Sequence, residues 1–366
     1  MRLTKILWIA VVGLLYLLPA PRAHVARDPG GSESLPISRA ATSPSPAPAS
    51  IEAPLRKPPR VVSGEVSEDR GGWSGTVQRI TYTSSADHTR QPAMFYKAGN
   101  DEPRPLLVAL HSWSSDYQQP QSAIYAEWAI ANGWNFIHPN FRGHNVRPVA
   151  TGSELVINDV LSAIDYAKQK ARVDDSRIYV VGWSGGGHLA LLLAAHSPEI
   201  WAGVSAWVPI SDLNAWYSES RRRGTKYARE IAASCGGAPD TNPTAAAECR
   251  KRSPLMHLEN ARNVPIDINH GIRDGHDGPV PVSQSLRAFN LLAESDGRLS
   301  GEEIDYMTKQ AKLPPNLQAG ETYPPYGNRP VLLRRQSGQA RLTIFDGGHL
   351  KDTEAAFTWL NEQKKR

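Results

Sequence analysis

The chain has 366 residues, 40% of them hydrophobic and 21% charged, so it can bury a large core and is not disordered throughout. Basic residues number 41 against 36 acidic ones, a net charge of +5 with no long Lys/Arg run, which disfavours a dedicated nucleic-acid binder. Two cysteines, Cys235 and Cys249, exclude a disulfide-scaffolded miniature fold and a zinc site built on thiolates.

Arg2 and Lys5 precede the apolar run Ile6 to Leu18, and Pro19, Ala20, Pro21, Arg22 and Ala23 follow. This is a signal-peptide layout over residues 1–23, and the run is shorter than the roughly 20 residues that span a bilayer. The expectation is a secreted or periplasmic protein, with membrane contact only if the segment stays uncleaved. Residues 24–60 are rich in Pro and Ser and hold no aromatic side chain, the composition of a disordered tether. Residues 61–366 then form one domain.

Within that domain Val77 to Thr83 alternates, and Ala93 to Tyr96 follows a polar turn, which predicts a hairpin. Leu106 to Leu110 is continuously apolar, as are Asn135 to Ile137, Ile178 to Val181, Gly203 to Val208 and Ile266 to Ile268. Such runs are strands buried on both faces of a parallel sheet. Between them lie helical patterns. Ile157, Val160, Leu161 and Ile164 share one face behind a capping box read at Thr151 and Glu154, and His188 to His196 reads as an Ala/Leu helix. Strands at Val331 to Leu333 and Leu342 to Phe345 precede a helix from Thr353 to Lys364. The predicted fold class is α/β, a mostly parallel sheet with helices on both faces, carrying insertions at about 211–263 and 295–329.

The strand Ile178 to Val181 runs into Gly182, Trp183, Ser184, Gly185 and Gly186, the pattern G-x-S-x-G between a strand and a helix. Small neighbours let a serine sit on a strained turn with its hydroxyl thrust out at the end of the sheet. Gly72, Trp73, Ser74 and Gly75 look similar but lead into a strand. A serine hydroxyl needs a histidine to take its proton and an acid to orient that histidine. His349, after Asp346, Gly347 and Gly348, follows the last strand and is the candidate base; His138, His188 and His196 lack that placement. The acid follows the strand Ile266 to Ile268. Counting forward from His270 selects Asp274, which is preferred; counting back from Val280 and Pro281 selects Asp277. Backbone N–H groups for the developing oxyanion are assigned to Gly185 and Trp113, with Ser112 as the alternative to Trp113.

On Gly182 to Gly186, His270 to Pro281, Asn140 to Gly143 and Gly347 to His349, the chain resembles the α/β-hydrolase superfamily, within it the prolyl-oligopeptidase-like (dienelactone-hydrolase-like) catalytic domains and related carbohydrate esterases. The resemblance covers about Trp73 to Lys364. It implies a Ser, Asp, His triad, acyl transfer through a covalent acyl-enzyme and no cofactor or metal. His270 to Pro281 departs from H-G-x-x-D-x-x-V-P by three added residues, and Ser112 stands where a glycine is usual. Exopeptidases of this group carry a β-propeller ahead of the hydrolase domain. None fits before Leu106, which ranks esterase above peptidase or amidase.

The stretch between Val208 and Ile266 is longer than an ordinary connection and reads as a lid. Trp216 and Tyr217 within it, with Trp183 beside the serine, are candidate substrate-lining residues, either stacking on a sugar or packing internally. Arg221, Arg222, Arg223 and Lys226 read as a solvated helix face, with contact to an acidic polysaccharide as the alternative. Glu294 to Glu303 resembles a calcium loop, but Leu292 at its first position cannot ligate. Cys235 and Cys249 are expected to pair, since export places them in an oxidising compartment and their number is even. The expected function is a secreted serine hydrolase cleaving carboxylic esters, releasing acetyl or similar groups from a polysaccharide or oligosaccharide. The alternative is a serine peptidase or amidase of the same fold. A non-catalytic binding module is a third class, against which the intact serine, acid and histidine argue.

Overall fold

The computed structural model describes residues 72–99, 102–317 and 323–365. The leader at 1–23, the tether at 24–60 and the start of the domain at Val61 lie outside the described residues. The elements run β1 (Gln78–Thr83), β2 (Arg90–Tyr96), β3 (Arg104–Leu110), α1 (Ala123–Ala131), β4 (Asn135–Pro139), α2 (Glu154–Lys170), β5 (Val173–Trp183), α3 (Gly185–His196) and β6 (Gly203–Trp207). They continue with α4 (Leu213–Arg222), α5 (Tyr227–Cys235), α6 (Pro243–Lys251), β7 (Ile266–Gly271), α7 (Ser283–Leu292), α8 (Gly301–Gln310), β8 (Val331–Ser337), β9 (Ala340–Phe345) and α9 (Thr353–Asn361). Among the described residues the strands form one sheet in the order β1-β2-β4-β3-β5-β6-β7-β9-β8. The run from β4 to β9 is parallel, and the antiparallel pairs β1/β2, β2/β4 and β8/β9 flank it. This is the α/β-hydrolase fold.

Alternation along β3 shows why the sheet takes helices on both sides. Leu106, Val108 and Leu110 enter a core shared with Val156 and Val160 of α2, Leu189 of α3 and Leu286 of α7. Leu107 and Ala109 face the opposite way, into a core shared with Tyr125 and Trp128 of α1 and Phe357 and Leu360 of α9. Each apolar side chain buried this way contributes about 1.5–3 kcal/mol, and the period-two pattern sends successive residues to opposite faces.

One local reading differs from the sequence. The N-cap of α2 is Ser153, whose side chain accepts from Val156 N, and Thr151 lies outside the helix. Thr151 has φ 53° and its hydroxyl is bonded to Ser234 Oγ at 2.8 Å. Glu303, read against a calcium loop, forms with Ser300 the capping box of α8.

The segment between β6 and β7 folds as α4, α5 and α6 around a small core that includes Leu213, Trp216, Tyr217, Ile231, Cys235 and Cys249. Cys235 and Cys249 form a disulfide with Cα atoms 5.5 Å apart, joining the end of α5 to α6. A loop of this length gains about 3 kcal/mol in the chain-entropy picture, which matters most where so little core exists. Cys235→Ser is therefore expected to lower the melting temperature by several degrees and to expose the insertion to protease before the sheet. Limited proteolysis of the reduced and oxidised protein at equal temperature checks this; identical cleavage kinetics would argue that the bridge adds nothing.

Candidate active site

The parallel strands deliver their carboxyl ends to one edge, and the residues singled out above collect there. Ser184 sits between β5 and α3 with φ 60° and ψ −119°, a region that non-glycine residues avoid. The turn is held by backbone bonds on both sides, Ser184 N to Trp207 O at 2.9 Å and His188 N to Ser184 O at 2.9 Å. Close packing enforces the neighbouring glycine: a methyl at residue 185 would meet the Trp113 nitrogen at 2.5 Å. Gly185 and the Trp113 backbone are thus face to face.

That contact separates the two candidate oxyanion donors on the loop after β3. The Ser112 N–H donates to Gln119 Oε1 at 2.8 Å, and the Ser112 hydroxyl donates to the same oxygen at 2.7 Å. The Trp113 N–H has no acceptor among the described residues and lies against Gly185. Trp113 is clamped from several directions. Its carbonyl accepts from Asn145 N at 3.0 Å and Asn145 Nδ2 at 3.2 Å, and its indole N–H donates to Glu230 Oε2 of α5 at 2.9 Å. The preceding His111 stacks on Phe141 with ring centroids 3.7 Å apart. Phe141 and Arg142 both take positive φ, and Arg142 holds that turn by binding Asp159 and Asp87 at 2.7 Å each. The Phe-Arg-Gly segment therefore props the oxyanion loop from behind.

His349 lies on the loop between β9 and α9, and its Nδ1–H donates to Asp274 Oδ2 at 2.6 Å. Asp274 is 1% exposed, and its other oxygen accepts the N–H groups of Gly275 and Val280 at 3.0 Å each. Burial alone would raise its pKa, but hydrogen bonds from His270 and His349 outweigh that and hold the carboxyl at about 2. His270 Nε2 lies 3.5 Å from Asp274 Oδ2. His270 is fixed by Ser285 Oγ on its Nδ1 at 2.7 Å and by the Val280 carbonyl on its Nε2 at 3.1 Å. Asp277 is exposed and pairs with Arg273; the structure brings Asp274, not Asp277, to the histidine. The His349 ring lies 5.3 Å from the Trp183 ring, next to the serine in sequence. No hydrogen bond joins Ser184 Oγ to His349 here, a looseness common before substrate binds.

Of the proposed lining residues, Trp183 is half-buried at the site. Trp216 is fully buried, donates to Pro279 O at 2.8 Å and meets Trp113 edge-on at 4.8 Å. Tyr217 is buried too and bonds Asp240. Both belong to the interior of the insertion and offer no face on which a sugar could stack. His188 bonds Arg252 O and takes no part. Gln119, Glu230 and His270 support the site, and sequence reasoning gave them no such role. Only His270 left a trace, as the first residue of the acid-loop motif; Glu230 reaches Trp113 from 117 residues away, and Gln119 bonds Ser112 within a short loop that carries no periodic pattern.

Residues 152–310 match the prolyl oligopeptidase family. A stretch of 144 residues is 30% identical to acylamino-acid-releasing enzyme 1 of Oryza sativa subsp. japonica, covering 35% of this chain and 18% of that protein. The chain thus spans under a fifth of that relative's length. Among solved structures, acylaminoacyl peptidase of Pyrococcus horikoshii aligns with TM-score 0.48 and 20% identity over 59% of this chain and 34% of that one. A thermostable esterase aligns with TM-score 0.46 and 16% identity over 79% and 64%.

Proposed function

From a prolyl-oligopeptidase-like serine hydrolase, which this chain is, we propose an exported enzyme that cleaves the acyl bond of N-acylated or aminoacyl amides and related esters through an acyl-enzyme. The observation that carries the reading is the His349–Asp274 pair against Trp183, next in sequence to a strained Ser184 turn whose following glycine packs on the Trp113 backbone. Ser184 Oγ attacks the carbonyl carbon while His349 Nε2 takes its proton. The carbonyl oxygen becomes an oxyanion held by the Gly185 and Trp113 N–H groups. His349 then gives its proton to the departing nitrogen or oxygen, and water repeats the steps to free the acid and restore Ser184. Asp274 stays ionised throughout and balances the imidazolium.

Preference for amides over acylated glycans reverses the order read from the sequence. The matched family is a peptidase family, and Trp216 and Tyr217, two of the aromatics invoked for sugar stacking, are buried. Export is supported by the Cys235–Cys249 bridge, since such bridges persist in oxidising compartments. An activity panel of N-acylaminoacyl and aminoacyl anilides, aryl acetates, and acetylated or feruloylated glycans tests the proposal. The anilides and aryl acetates should be turned over. Release of acid from glycans alone, with the anilides untouched, would reinstate the carbohydrate ester.

A further inference from the structure

Lys351 stands two residues after His349, on the loop leading into α9, and nothing in the chemistry above uses it. Its Nζ donates to Gln121 O at 2.6 Å, lies 4.0 Å from the Tyr125 ring centroid and 5.7 Å from that of Trp183. Trp183 is also the ring against His349, at 5.3 Å. The ammonium and the imidazole therefore flank one indole.

What the ammonium lacks is an anion. Among the described residues no carboxylate lies within ion-pair reach of it. Its neighbour Asp352 is occupied, bound to Arg329 at 3.2 Å and capping α9 through Ala355 N at 2.9 Å. Burial without a counter-charge lowers the Lys351 pKa to about 7. Two of the rings around it also carry unsatisfied polar atoms: Trp183 Nε1 and Tyr125 Oη are buried with no hydrogen-bond partner among the described residues.

We propose that Lys351 is the cation of a carboxylate-binding subsite on the leaving-group side of Ser184. A single ammonium between aromatic walls, with no guanidinium fork, suits a monoanion better than a phosphate. The side follows from the proton path: His349 must protonate the departing atom, so the leaving group lies beside His349, and Lys351 shares its Trp183 wall. The oxyanion donors lie elsewhere, Trp113 on the loop after β3 and Gly185 at the start of α3. This assignment rests on the acyl-enzyme reading above. It defines the substrate class as esters or amides whose leaving group carries a free carboxylate, such as an amino acid released from its acyl partner.

The test compares 3-acetoxybenzoate with 3-acetoxybenzamide, each rate divided by its uncatalysed rate, at about pH 6 where the amine is charged. Wild type should favour the carboxylate by about tenfold or more in kcat/KM, the scale of one charged hydrogen bond. In Lys351→Met that ratio should collapse towards one, and Lys351→Arg should retain part of it; Lys351→Gln serves if the methionine variant does not fold. An unchanged ratio in the neutral variants, or no preference in wild type, overturns the subsite. If wild type hydrolyses neither ester, the acyl-transfer reading fails separately. Benzoate titration followed by tryptophan fluorescence then decides the subsite: saturable quenching lost in Lys351→Met supports it, and equal binding in both refutes it.

Discussion

Ser184→Ala is expected to lose on the order of 10⁴-fold or more in kcat/KM while unfolding within about 0.5 kcal/mol of wild type. The two halves of this expectation have different origins. Activity disappears because alanine has no hydroxyl with which to form the acyl bond. Stability is spared because the turn is held by backbone bonds, Ser184 N to Trp207 O and His188 N to Ser184 O, which alanine keeps. The hydroxyl has no hydrogen-bond partner among the described residues, so its removal strands nothing. Alanine at φ 60° is strained no more than serine. Steady-state rates on an aryl acetate beside a denaturant melt check both; a variant with near-wild-type turnover would remove Ser184 from the reaction.

Asp274→Asn should cost about 10² to 10⁴-fold in kcat, and Asp277→Asn less than about twofold. Asparagine preserves the shape of the site: its oxygen can still accept the N–H groups of Gly275 and Val280 that Asp274 Oδ1 holds at 3.0 Å. Its amide would face His349 Nδ1 with a donor where an acceptor stood. The imidazole must then carry its proton on Nε2, the atom that has to receive the proton of Ser184. Asp277 touches Arg273 on the surface and leaves this tautomer alone. With the Asp274 pKa at about 2 against an ordinary 3.8, the ionised group adds stability that is fully present above about pH 3.8 and lost as pH falls through about 2. Acid unfolding of Asp274→Asn should accordingly be shallower in that window. Equal losses of activity in the two variants would mean that His349 does not depend on the carboxylate it contacts.

The parts of this protein legible in its sequence are those encoded by short periodic patterns. Leu106 to Leu110 announces a strand covered on both faces, and Gly182 to Gly186 announces a tight strand-to-helix turn, because each signal is complete within a few residues. The start of β5 was hidden for the converse reason. Asp174, Ser176 and Arg177 look like a polar turn, and they form an irregularity in the strand: Val173 pairs with Arg104 and regular pairing resumes at Ile178, while the side chains between satisfy one another, with Arg177 Nε to Asp174 Oδ2 at 2.6 Å. Choosing Asp274 over Asp277 needed the path of a loop, which counting only approximates. Glu230 beneath Trp113 and Lys351 against Trp183 depend on where distant segments meet, and no window of sequence contains both partners; Gln119 is only seven residues from Ser112, but no periodic pattern marks the turn that brings them together.

Trp113 and Val280 belong to the same small apolar cluster as the α4–α6 insertion. One comes from the loop that faces the oxyanion, the other from the loop that fixes Asp274. The insertion is therefore the keystone between two halves of the machinery and cannot swing as a flap without loosening both. Because it is the smallest of the three clusters, it is expected to open first when the protein is warmed. The working ceiling of such an enzyme should then follow the melting of this peripheral layer, ahead of the sheet that carries the nucleophile.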